Sequence, residues 1–121
     1  MIGIGVDLVD VARMRAALVR TPTLAGRLFT DAERAYAEQA TDPAARYAVR
    51  FAAKEAVMKA LGVGLGAFDW HDVEVVRAPS GAPSLLVTGR AAAIATDAGV
   101  RQWKVTLTHT DDLAEAIAVA L

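Results

Sequence analysis

The stretch from about Ala44 to Leu61 leaves this chain little choice but a long helix, and the rest of the sequence has to pack around it. Thr41-Asp42-Pro43 is a stop followed by a new start, with Pro43 suited to a first helical turn. Gly62 fits the position just beyond the C-terminus, where a left-handed conformation closes the last turn. The second half reads Arg50-Phe51-Ala52-Ala53-Lys54-Glu55-Ala56-Val57-Met58-Lys59-Ala60-Leu61-Gly62, one carboxylate set among several cations. Arg46, Arg50 and Lys54 recur at four-residue spacing and stack on one face, where each like-charge pair costs about 0.2–0.5 kcal/mol in an isolated helix. Two readings fit that ladder: a solvated basic face, or a face against which something anionic sits. Glu55 and Lys59 have the spacing of a favourable ion pair with the acid N-terminal.

Upstream, Ile2 to Leu8 alternates as a strand, with Ile2, Ile4, Val6 and Leu8 on one face and Gly3, Gly5 and Asp7 on the other. Asp10 is placed to cap a helix running to about Val19. Pro22 opens a short helical segment, and Thr30-Asp31-Ala32-Glu33 has capping-box spacing for a helix from about Asp31 to Gln39. After the glycine connector Gly62–Gly66 come strands near Val73–Arg77 and Ser84–Val87 around a Pro79-Ser80-Gly81 turn. A helix over about Gly89–Ala98 follows, then strands Trp103–Thr110 and Leu113–Leu121 joined tightly at Asp111-Asp112. The closing hairpin must be antiparallel, so the pattern predicts an α+β fold, a small mixed or antiparallel sheet packed with a long central helix. At 121 residues the expectation is one domain over 1–121, burying roughly two-thirds of its unfolded surface.

A formal net charge of −1 argues against a dedicated nucleic-acid binder. The absence of cysteine removes disulfides, thiolate metal sites and cysteine nucleophiles. No apolar run has the length of a membrane span, and Met1–Asp7 lacks the make-up of a signal peptide, so a soluble, cytoplasmic protein is expected. Charge is nevertheless uneven: Arg13, Arg15, Arg20 and Arg27 lie between Val11 and Leu28 with no acid among them. That segment is either a docking face for an acidic partner or a set of scattered surface arginines.

Three residues are candidates for chemistry. Asp7 shares its strand face with Gly3 and Gly5, whose missing side chains leave room for a ligand or another backbone. Glu55, on a helix lying against that strand, would complete a pair of hard carboxylates suited to Mg²⁺ and a pyrophosphate, with Arg50, Lys54 and Lys59 available to phosphate oxygens. His109, in phase with Val105 and Leu107, reads as a core histidine or as a phosphate or purine contact at a strand end. His71 reads as turn chemistry, and two histidines make a multi-histidine metal site untenable. Walker, nucleophile-elbow and dinucleotide motifs are absent.

Ile2-Gly3-Ile4-Gly5-Val6-Asp7-Leu8-Val9, the Arg50–Gly62 segment, and Val105-Thr106-Leu107-Thr108-His109-Thr110 together resemble the holo-[acyl-carrier-protein] synthases, the short class of 4′-phosphopantetheinyl transferases. Leu28-Phe29-Thr30 with Glu33, and Gly81-Ala82-Pro83, resemble further segments of that family. The resemblance implies the 4′-phosphopantetheinyl transferase fold and transfer of the phosphopantetheine arm of coenzyme A to a serine of an apo acyl carrier protein, for fatty acid or polyketide synthesis. It implies Mg²⁺ on Asp7 and Glu55, and catalytic roles for Glu55 and Lys59. Coenzyme A would contact Arg50, Lys54, Lys59, Gly62, Pro83, His109 and Thr110. The base would be Glu55, directly or through a metal-bound water, with Asp31, Glu33 and Asp111 as further acids in reach of the question. Arg13, Met14, Arg15 and Arg20 would dock the acidic carrier, and the family is typically a homotrimer with interfacial sites. The competing classes are a binding module without chemistry, a structural trimer with a basic docking face, and another Mg-dependent phosphoryl transferase.

Overall fold

The N-terminal alternation becomes strand β1 (Gly3–Asp10) in the computed structural model, which describes residues 1–121. β1 runs antiparallel to β5 (Leu113–Ala120), with Gly5 opposite Ala118 and Asp7 opposite Ala116. On its other side β5 pairs with β4 (Trp103–His109), placing His109 opposite Ala114. The order is β1-β5-β4, and β2 (Val73–Arg77) with β3 (Pro83–Val87) forms a separate two-stranded antiparallel ribbon. Helices α1 (Val11–Arg20), α2 (Leu24–Leu28) and α3 (Asp31–Ala37) precede the long α4 (Ala44–Leu61), and α5 (Gly89–Asp97) joins the ribbon to β4. The expected α+β architecture is the observed one.

α4 crosses β1 and β5 on a surface stripped of side-chain bulk. Gly3 and Gly5 from β1 and Ala114, Ala116, Ala118 and Ala120 from β5 face Ala52, Ala53, Ala56 and Ala60 of the helix, all the alanines being buried. A Cβ on Gly5 would overlap the Ala56 carbonyl oxygen and meet the Ala60 nitrogen at 2.8 Å; a Cβ on Gly3 would overlap the Ala60 carbonyl. The space the two glycines leave is therefore filled by helix backbone. Small residues on both sides bring the axes close enough for backbone contact, and that closeness carries Glu55 and Lys59 down beside β1.

The ends of the helices follow local chemistry. Asp10 Oδ1 accepts the Arg13 N–H at 3.0 Å, and Thr30 and Glu33 form the reciprocal capping box at the start of α3. Gly62 takes the left-handed conformation (φ 68°) and donates to Lys59 O at 3.1 Å, closing α4. α3 stops at Ala37 rather than Gln39 because Gln39 and Ala40 donate to the carbonyls three residues back, winding the chain into tighter turns. The turn expected around His71 is a 3-10 turn at Trp70–Asp72, capped by Asp69, whose Oδ1 accepts the His71 N–H at 2.8 Å.

Two apolar clusters flank α4. Ala52, Ala56, Val57 and Met58 pack with Phe68, Val73 and Val75 under the ribbon. Ala44, Tyr47 and Ala48 pack with Val11, Leu28 and Phe29 under the N-terminal helices, the Phe29 and Tyr47 rings 4.7 Å apart. The far face of the sheet is uncovered: Ile2, Ile4, Val6 and Leu8 are 48%, 57%, 49% and 57% exposed, beside half-buried Ile117 and Val119. No helix is long and apolar enough to cross a membrane.

Gly5→Ala is expected to destabilise the fold by about 3 kcal/mol or more, because the new methyl meets rigid helix backbone rather than a movable side chain. Urea denaturation would measure it; a loss within a few tenths of a kilocalorie would mean the seam is softer than its geometry.

Candidate functional site

The close seam delivers three charged groups to one place. Lys59 Nζ reaches across to β1 and donates to Val6 O at 2.8 Å and to Asp7 Oδ1 at 3.1 Å. The intrahelical Glu55–Lys59 ion pair suggested by spacing is not made, since the strand beneath the helix offers Lys59 a better-placed carboxylate and a carbonyl together. Glu55 lies beside them, its carboxyl held above the ordinary range, first by burial and then by the Asp7 charge, with Lys59 opposing. Ionising both acids is thus costly until a cation relieves the repulsion, and Lys59 relieves it from one side only. No third histidine, cysteine or acid joins the pair. A divalent cation held there would need oxygens from substrate and water, which is how Mg²⁺ is ordinarily bound. The donor set fits.

A cleft of about 710 Å³ opens from Asp7 and Glu55 past Phe51 along α1, lined by Arg13, Met14 and Arg20. Met14 is buried and presents only an edge. Arg15 departs from the expected docking set. Its guanidinium turns to the other side of α1 and bonds Asp42 at 2.7 Å, which raises its own proton affinity and lowers that of Asp42.

A second cluster forms on another flank of α4. Arg46 and Arg50, one turn apart, both lie over the Tyr36 ring of α3, at 4.1 and 4.4 Å from its centroid, and Arg77 at the end of β2 lies at 4.5 Å. Arg50 is only 4% exposed, and burial lowers its affinity for its proton. A cleft of about 530 Å³ beside them takes in Gly81 and Pro83 from the ribbon and His109 from β4. His109 is not a core histidine: it is exposed, its Nδ1 3.4 Å from the Thr110 carbonyl. Thr110 Oγ1 accepts the N–H groups of Asp112 and Leu113 and so closes the β4–β5 turn. Gly62 lines neither cleft and sits at the far end of α4. Arg50 and Glu55 are five residues apart, about 140° around the helix axis, so the two clefts open on different sides of α4.

Lys54 belongs to neither. It is fully buried, and its three donors go to Glu33 Oε1 at 2.8 Å, to Trp70 O at 3.0 Å and to Val73 O. No donor is left for a phosphate, which corrects its expected role on coenzyme A. Burial depresses its proton affinity, with the Glu33 charge opposing. Glu33, also fully buried, accepts from the Thr30 and Val75 N–H groups at 3.0 Å as well, so it is a structural anion and no surface base. Asp31 and Asp111 are exposed and line neither of the two clefts.

Tyr36 and Arg77 were not singled out from the sequence, and Arg46 only as part of the ladder. The available signal was Tyr36 falling three residues after Glu33, hence on the α3 face turned to α4; nothing local pointed to Arg77.

Residues 3–118 match the family described as the 4′-phosphopantetheinyl transferase superfamily. The chain belongs to that superfamily. The holo-[acyl-carrier-protein] synthase of Frankia casuarinae is 48% identical over 120 residues, covering 99% of this chain and 97% of that protein. That of Moorella thermoacetica is 42% identical over 119 residues, covering 98% and 93%. Among solved structures, the holo-[acyl-carrier-protein] synthase of Neisseria meningitidis superposes with a TM-score of 0.90 at 28% identity, over 100% of this chain and 98% of that one. The Helicobacter pylori synthase in complex with coenzyme A gives 0.86 at 25% identity, over 98% and 99%. This member of the phosphopantetheinyl transferases shares their α+β architecture and is an enzyme of that class.

Lys54→Met should cost about 3–5 kcal/mol of stability, since Glu33 would be left buried without its counter-charge; chemical denaturation tests it, and a fully stable variant would mean the pair is dispensable. For Glu55 the sign works the other way from an ordinary ion-paired acid. Its raised affinity means the folded chain holds more protons than the unfolded one between the ordinary and the raised values, so stability falls as pH rises through that window. Glu55→Gln in metal-free protein is expected to melt higher than the parent at about pH 7 and to lose that advantage by about pH 4, where both forms are neutral. Thermal unfolding at the two pH values reads the difference; a pH-independent gap would contradict the assigned cause.

Proposed function

We propose that this enzyme transfers the 4′-phosphopantetheine arm of coenzyme A to a serine hydroxyl of an apo acyl carrier protein, using Mg²⁺ and releasing adenosine 3′,5′-bisphosphate. The observation that carries the reading is the Asp7–Glu55 carboxylate pair beside Lys59, in a chain whose relatives are named holo-[acyl-carrier-protein] synthases. A neighbour solved with coenzyme A supports the choice of donor. A module that only binds, or a trimer that only docks an acidic partner, has no use for two mutually repelling carboxylates.

In this reading Asp7 and Glu55 hold Mg²⁺, which when bound supplies Lewis-acid stabilisation of the pyrophosphate oxygens. The serine oxygen attacks the phosphorus that bears pantetheine, the bond to the bridging oxygen breaks, and adenosine 3′,5′-bisphosphate departs. Glu55 takes the serine proton. Lys59 leaves Asp7 for the phosphate side and neutralises the leaving group. Arg50, Pro83 and His109 meet the nucleotide end of coenzyme A, with Arg46 and Arg77 as additions to the expected set. Arg13 and Arg20, beside the Asp7 cleft, guide an acidic carrier, with Met14 as an apolar edge.

The two clefts face different sides of α4, and the uncovered Ile2–Leu8 face of β1 is apolar. Both features support a homotrimer in which the carboxylate cleft of one subunit meets the arginine cleft of the next. Residues 1–121 act as one catalytic domain, and the absence of cysteine suits a reducing cytoplasm.

Intact-protein mass spectrometry of an apo carrier protein incubated with this enzyme, coenzyme A and Mg²⁺ is the direct test. A gain of one phosphopantetheine group is expected, lost with EDTA and with Glu55→Gln. No gain on any carrier, with folded enzyme, would overturn the reading in favour of a binding module. Turnover of ATP but not coenzyme A would point to another phosphoryl transferase. Arg13→Glu is expected to slow carrier association about tenfold at low salt, the gap narrowing at high salt. An unchanged rate in stopped-flow measurements would take Arg13 off the docking face.

A further inference from the structure

Three guanidiniums around one phenol ring is an arrangement that needs a reason. A ring has two faces, so with Arg46, Arg50 and Arg77 all over Tyr36 at least two of them crowd the same side. None is in a salt bridge: Arg46 donates to Tyr36 O at 2.7 Å, Arg50 to Arg46 O at 3.2 Å, and Arg77 to Gly81 O at 3.5 Å, all of them carbonyls. The nearby acids are committed elsewhere, Asp42 to Arg15 and Glu33 to Lys54. Arg50 is almost wholly buried, and its Nε–H has no hydrogen-bond partner at all. A buried charged donor left unmade costs more than a neutral one, so its persistence beside an open cleft marks a place where an acceptor is brought in from outside.

We infer that Tyr36 is a positioning residue: its ring gathers Arg46, Arg50 and Arg77 into one fork that fits a phosphate monoester, and thereby makes the enzyme select coenzyme A bearing a 3′-phosphate over the form lacking it. The inference rests on the function proposed above and adds a selectivity device to it. Arginines at 46 and 50 on a helix and at 77 on a strand have no common scaffold of their own, and their mutual repulsion would spread them into solvent. The negative ring faces hold them together without a carboxylate that would neutralise them or compete with the ligand. An ordinary pairing with aspartate would hold the arginines equally well and abolish the site. A monoester dianion has the charge and three terminal oxygens to take parallel N–H bonds from several guanidiniums, whereas a diester in the pyrophosphate has fewer free oxygens and less charge. His109, at the opening of the same cleft, offers one more nitrogen.

The test compares coenzyme A with 3′-dephospho-coenzyme A, which differ only in that phosphate, by titration calorimetry on Tyr36→Phe, Tyr36→Leu and the parent enzyme. The parent is expected to prefer coenzyme A by about tenfold or more; Phe keeps the preference, because the ring and not the hydroxyl holds the guanidiniums, and Leu reduces it to about twofold or less. Steady-state kinetics should show the same change in Tyr36→Leu as a raised KM for coenzyme A, with kcat affected far less. A purely structural role would instead weaken both ligands alike, and that outcome overturns the inference. So does an unaltered preference in folded Tyr36→Leu, or a parent enzyme with no preference. If Tyr36→Leu does not fold, Arg77→Gln, at the exposed end of β2, must produce the selective loss on its own, and an unchanged preference there overturns the inference too. Binding is read independently of transfer, so an enzyme that discriminates the two ligands yet modifies no carrier would sink the proposed reaction and leave the Tyr36 fork standing.

Discussion

Everything in this structure depends on how closely α4 lies on the sheet. Gly3 and Gly5 admit helix backbone where any side chain would exclude it, and the alanines of β5 and of α4 continue the same low surface. The consequence is reach. Lys59 can span from the helix to an aspartate and a carbonyl on β1, and Glu55 comes near enough to Asp7 to be harder to ionise. With a helix standing off at a more usual distance, the same residues would be three separate surface charges. The site is in this sense a product of what the seam leaves out.

Charges are sorted with the same economy. A near-neutral total conceals one buried pair that fastens α3, α4 and β2 together, more exposed pairs such as Arg15 with Asp42 and Lys59 with Asp7, and a group of arginines held on an aromatic ring with no acid to balance them. Lys54 and Arg50 are consecutive rungs of one helical ladder and both are buried, yet they have opposite destinies. Lys54 finds Glu33 and two carbonyls and becomes part of the framework; Arg50 finds a ring and keeps an unsatisfied donor beside a cleft.

That divergence shows where a sequence can be read and where it cannot. Pro43 and Gly62 bound α4, Thr30 and Glu33 close the capping box, and Asp10 caps α1, because each of these is decided within a few residues. The two glycines signalled a close approach, but whether of ligand or of backbone depends on a helix fifty residues away. The Glu55–Lys59 pair was plausible by spacing and was outcompeted by a partner from another strand. Arg15 shared a segment with Arg13 and Arg20, and only the position of Asp42 separates it from them. Lys54 could be told from Arg50 only by knowing that Glu33 would be buried beneath it. Local propensity is written in neighbours, whereas the assignment of a charge to framework or to site is written in contacts of long sequence separation.

Strand β1 has one further property. Asp7 looks inward to α4 while Ile4, Val6 and Leu8 look outward from the same eight residues, because side chains alternate along a strand. A shift of register by one residue would send the aspartate out, drive a branched side chain into the helix backbone, and turn the glycines to the surface, all in one step. Two surfaces with different duties are thus coupled through a parity rule. Such a strand can change its chemistry by exchanging residues one at a time, but its length is frozen: inserting or deleting a single residue ahead of Asp7 would scramble both faces together.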